Sequence, residues 1–218
     1  MLALCVTVCL ILVGGEVVQP VPIAVFALGY VTDSLVNRIC AEASAIWGPA
    51  GITFEWRRVG SEAEASNGPF EIIIDDRRAN VQPRCALGWI TFTANSPERA
   101  IHLSRGCAED LVVTTHGLNE PTIASHETLI GRALGRALAH EVGHLLLRSK
   151  THTSRGLMRA IWSGDDSFGF RRRGFELTAE QRAAAIGYLA GNGRGPTPNG
   201  GNHVDQAGIG QPQFGDSR

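Results

Sequence analysis

Several things are scarce in this sequence, and each scarcity removes a class of function. Positive charge is not in excess. The 20 Lys and Arg stand against 21 Asp and Glu, a formal charge of -1 with no basic stripe, which excludes nucleic-acid binding driven by phosphate neutralisation. No apolar run approaches the roughly 20 residues that span a bilayer; the most apolar stretch, MLALCVTVCLILVGG, ends at Gly15. Val8 rather than a small residue precedes Cys9, so no lipid-anchor pattern forms. No repeat with a period of about 20 to 50 residues is visible, which excludes solenoids and propellers. Tyrosine occurs only at positions 30 and 188, and methionine only at 1 and 158.

What is present suits one domain with appendages. Hydrophobic residues make up 44% of 218, enough for an ordinary core. Residues 1–15, uncharged and apolar with Gly14 and Gly15 before Glu16, read as an export signal. The expected location is therefore secreted or periplasmic, with residues 16–190 as the domain. In an oxidising compartment exposed thiols pair. Cys40 recurs at helical spacing with Val36, Ile39, Ala43, Ile46 and Trp47, the mark of a buried core thiol, which leaves Cys85 and Cys107 as the expected disulfide. Residues 191–218 are rich in Gly, Pro and Asn and read as a disordered tail.

Strands are expected over 23–28, 52–57 and 70–74, with weaker candidates over 87–93 and 100–103. Helices are expected over 33–47, stopped by Gly48 and Pro49, and from Thr178, with Gln181 completing a capping box, to about 189. The longest periodic segment starts at Ser125 as N-cap and carries the apolar stripe Leu129, Ile130, Ala133, Leu134, Ala137, Leu138, Val142 and Leu145.

That helix carries HEVGH, residues 140 to 144. Side chains four apart lie one above the other, so His140 and His144 project from one face and can hold a single metal ion at about 2.0–2.1 Å. Glu141 sits one step round, too far to share the ion but placed to reach a water on it, the position of a general base. A catalytic zinc takes three protein ligands. The nearest third is His152, in RSKTHTSRGLM, with Glu176 or Asp165 as carboxylate alternatives. His102, His116, His126 and His203 read as ordinary polar residues.

The stretch HEVGHLLLRSKTHTSRGLMR, residues 140 to 159, resembles the metzincin zinc peptidases and more narrowly bacterial matrixin-like proteins. The resemblance implies an α+β zincin fold: a twisted mixed sheet packed on a first helix and a long active-site helix, then a Met-turn and a C-terminal helix. It also implies that His140, His144 and His152 bind Zn2+, that Glu141 serves as base and acid, and that Met158 supports the floor of the metal site without touching the ion. The implied activity is a zinc metalloendopeptidase acting on a peptide or protein substrate laid along a sheet edge, for which 87–93 and 100–103 are the candidates. The stretch PRCALG around Cys85 loosely resembles the PRCG of matrixin pro-segments, but it lies inside the domain. One departure stands out: Leu147 and Lys150 occupy the usual glycine and third-histidine positions, so the chain must turn within 148–151 without glycine. Some metzincins hold the oxyanion with a tyrosine after the Met-turn, and none is available here. In the segment 159–175, Trp162, Phe168 and Phe170 read as core and Arg171 to Arg173 as a solvated loop, a substrate pocket being the alternative. A second functional reading keeps the zinc for structure or partner binding in a catalytically silent domain. The intact Glu141 and a site with three rather than four ligands speak for hydrolysis.

Overall fold

The computed structural model describes residues 19–78, 85–116, 123–191 and 205–208. The leader expected over 1–15 lies outside them. In chain order the elements are β1 (Val21–Ala27), α1 (Asp33–Trp47), β2 (Phe54–Arg58), α2 (Glu62–Ala65), β3 (Glu71–Asp75), β4 (Gly88–Thr93), β5 (Ser96–Ser104), α3 (Arg105–His116), α4 (Ile123–Leu147), α5 (Gly164–Phe168), α6 (Ala179–Leu189) and β6 (Asp205–Gly208).

One mixed sheet runs in the order β2-β1-β3-β5-β4-β6. β1 is parallel to both β2 and β3, β3 is parallel to β5, and β4 is antiparallel to β5 and β6. Parallel strands flanked on both sides and covered on both faces lose simple alternation, which is why β3, EIIID, is buried along its whole length. The resulting layout, a mixed sheet against α1 and α4 followed by a turn bearing Met158 and a last helix, is the one the metzincin resemblance implies.

α1 begins where the Thr32 hydroxyl accepts the Leu35 N–H at 3.1 Å. It buries Leu35, Val36, Ile39, Cys40, Ala43, Ile46 and Trp47. The Trp47 indole N–H donates to the Ala139 carbonyl at 3.0 Å, tying α1 to the middle of α4. α4 opens at Ile123, two residues before the expected Ser125 cap. At its centre Arg136, 0% exposed, donates through Nε to Glu42 Oε1 at 3.0 Å and through its two Nη atoms to the carbonyls of Asp166, Gly169 and Arg171. The other Glu42 oxygen accepts two bonds from Arg172. A buried cation needs this complete set of acceptors to offset its lost hydration, and the set fixes the backbone of 166–171 against α4.

Three findings differ from expectation. α3 was not anticipated, because RGCAEDLVVTTH mixes glycine and β-branched residues that score poorly as helix; burial of Cys107, Ala108, Leu111 and Val112 overrides that preference. Residues 205–208, within the expected disordered tail, pair with β4. The segment 100–103 belongs to β5, which is internal between β3 and β4 and so offers no free edge. Among the described residues no helix is long and apolar enough to cross a membrane.

Candidate metal centre

His140 and His144, both on α4, are fully buried, each at 0% exposure. His140 Nδ1 lies 2.8 Å from the Leu157 carbonyl and His144 Nδ1 lies 2.6 Å from the Ser149 carbonyl. A carbonyl oxygen only accepts, so each Nδ1 carries the proton and each Nε2 presents a bare lone pair. Burial, before any other cause, pushes all three histidines of the site below the usual range. His140 lies well below it, with the neighbouring His144 and His152 adding to the effect; His144 falls to about 4; His152 follows from burial alone. Neutral imidazoles at neutral pH are the form that binds a metal.

His152 is returned by a turn made without glycine. Arg148, the first residue after α4, takes φ +50°, the left-handed conformation that ends many helices. The Ser149 N–H then bonds the His144 carbonyl at 3.3 Å. A non-glycine residue pays about 1–2 kcal/mol for that conformation, and Arg148 is held in place by Ser96 at 3.1 Å and by the Tyr188 ring. After the turn, His152 Nε2 stands 3.3 Å from His144 Nε2. Two ligands at about 2.05 Å on a tetrahedral ion are separated by roughly 3.3–3.4 Å, so this spacing fits zinc. His140, His144 and His152 form the one group of three or more metal-capable side chains found among the described residues, with ligand atoms within 4.8 Å of one another. Glu176 and Asp165, the alternative third ligands, are not in that group; the Glu176 carboxylate accepts the Gly174 N–H instead.

Met158, 1% exposed, packs on the bare backbone of Gly143, and a Cβ there would overlap its sulfur. The Gly just before His144 in HEVGH therefore lets the Met-turn pass beneath the histidines. The Thr153 N–H bonds the Met158 carbonyl at 2.8 Å and the Leu157 N–H bonds Glu176 at 3.1 Å, closing the turn.

Glu141 is fully buried beside β4. A Cβ added at Gly88 would lie 3.3 Å from Glu141 Cγ, so glycine at this position of β4 leaves the Glu141 side chain its room. Phe92 presents its ring edge-on to His144 with centroids 6.2 Å apart, and Trp162 does the same to His140 at 5.8 Å. The parts that Gly88 and Phe92 play were not legible in the sequence, because only the β4 register brings them over α4. Arg136 did carry a signal: it lies three and four positions from Ala133 and His140, on a buried face. Trp162 and Phe168 are core, as expected, whereas Phe170 is 86% exposed. Arg171 to Arg173 are exposed loop, as expected, and Arg172 in addition pairs with the buried Glu42. Cys85 is bonded to Cys107, as expected, so its sulfur cannot cap the site as a thiolate, and among the described residues Cys40 is a buried free thiol.

No family model matches the sequence, and no curated protein matches it. Among solved structures 15 chains match. One is the crystal structure of archaemetzincin from Methanopyrus kandleri, 12% identical, covering 78% of this chain and 96% of that chain with a TM-score of 0.48.

Proposed function

We propose that the chain is an exported zinc-dependent endopeptidase. The observation that carries this reading is the group of three neutral imidazoles, two with their free Nε2 atoms assigned by backbone carbonyls and two with Nε2 atoms at the edge length of a tetrahedral site. His140, His144 and His152 would hold the ion, and Met158 would support the floor. When bound, zinc supplies Lewis acidity that acidifies a water and polarises the scissile carbonyl. Glu141, next to His140 and buried beside β4, takes the proton of the attacking water and passes it to the departing amine. Tyr188 packs under Arg148 and Tyr30 under Arg105, so no tyrosine is placed to share the charge on the oxyanion. The Cys85–Cys107 disulfide and the apolar segment 1–15 support export.

The test is cleavage of casein and of a peptide library, with the zinc content of the purified protein measured alongside. Wild type is expected to hold one zinc and cleave. Glu141→Gln should retain the zinc and lose at least about 100-fold in kcat, since a positioned general base contributes roughly 10²–10⁴. A zinc-loaded wild type that cleaves nothing would favour the silent, metal-stabilised domain instead.

A further inference from the structure

An extended peptide reaching the three histidines would have to lie along the outer edge of β4, and the chain already places a strand there. β4 runs across the site. At its start Gly88 faces Glu141, with room for no larger side chain between them, and four residues later Phe92 stands edge-on to His144. β5 takes one edge of β4. The other is taken by β6 in antiparallel register, with Asp205 opposite Phe92, Gln206 opposite Thr91, Ala207 opposite Ile90 and Gly208 opposite Trp89. β6 also lies against α4, the helix that carries His140, Glu141 and His144. Ladder pairing reads the main chain and tolerates many side chains. An edge that accepts Asp-Gln-Ala-Gly in this way is therefore built to accept an extended polypeptide.

We propose that residues 205–208 act as a tethered competitor, occupying the edge of β4 on which the extended substrate must lie; this rests on the peptidase reading above. Because the segment belongs to the same chain, its local concentration does not fall on dilution. Its occupancy lowers the fraction of molecules open to substrate and raises the apparent KM by the inverse of that fraction, while kcat is untouched. A strand of only four residues is weakly held, so a longer substrate that also fills pockets beyond the ladder displaces it.

The test uses the full-length, zinc-loaded protein carrying Gln206→Pro and Ala207→Pro together, which removes two backbone N–H donors from β6 and changes no residue of the metal centre. Amide hydrogens of 89–92 are expected to exchange faster in this variant. KM for an extended peptide should fall several-fold with kcat unchanged, and a synthetic peptide of residues 203–210 should restore the higher KM competitively. Unchanged exchange at 89–92 overturns the seating, and faster exchange with unchanged KM overturns the competition. If both proteins hold zinc and neither cleaves, the peptidase reading falls. Binding of a labelled 203–210 peptide to the variant but not to the wild type then shows that the edge is a self-occupied peptide site, and equal binding to both overturns that too.

Discussion

Two backbone carbonyls, those of Leu157 and Ser149, set the tautomers of His140 and His144. The third ring is assigned by its position, with Nε2 3.3 Å from His144 Nε2. His152→Ala is therefore the informative substitution. Loss of groups that merely orient a ligand costs about 10–100-fold in metal affinity, so loss of the ligand itself should cost more than about 100-fold, read by competition with a chromogenic chelator. Undiminished affinity would remove His152 from the site. A second residue-scale expectation concerns His102, which stacks on Trp89 at 5.1 Å. Burial, then Arg77, lowers its pKa below 6.5, with Asp75, Glu62 and Glu71 acting the other way. The unfolded chain thus takes up the proton first, and stability falls as pH drops through about 6.5, levelling once the folded state is also protonated. Urea midpoints measured from about pH 7 to about pH 5 should decline less steeply in His102→Gln than in wild type.

At the scale of elements, the junction between α4 and the Met-turn depends on Gly143. A methyl group there meets the Met158 sulfur, and overpacking of a dense core typically costs about 1–3 kcal/mol. Gly143→Ala is expected to destabilise by that order and to weaken zinc binding. Combined with Met158→Ala it should cost less than the sum of the two single changes, because the cavity left by one admits the methyl of the other. Strict additivity in chemical denaturation would show that the contact does not matter. The helices expected at 33–47 and from Thr178 to about 189 appear with those bounds, and the Thr178–Gln181 capping box forms as expected, since capping and periodicity are local chemistry; Gly48 and Pro49 end the first helix by tightening into a 3-10 turn. α3 was missed for the complementary reason: its residues are helical because the disulfide and the core hold them, not because of intrinsic preference.

For the whole molecule, the Cys85–Cys107 bond ties α3 to the chain just before β4, closing a sequence separation of 22 residues. Loop-closure entropy assigns it about 3 kcal/mol. Replacing both cysteines by serine should lower the melting temperature by roughly 10 °C. An unchanged melt would mean that the loop is already ordered in the unfolded ensemble. The Glu42–Arg136–Arg172 cluster works at the same scale, joining α1, α4 and the segment after the Met-turn through one buried carboxylate.

The helix of the candidate metal site, the order of the three histidines, the Met after them and the cysteine pair could all be read from the chain directly, because a metal site demands particular residue types and a helix fixes the spacing between them. Tertiary structure alone decided how His152 returns without glycine, through a left-handed Arg148 anchored to Ser96 and Tyr188. It alone also decided which strand borders the site and what lies on that strand's outer edge, because β pairing joins residues far apart in sequence, and no local pattern records which partner a strand will take.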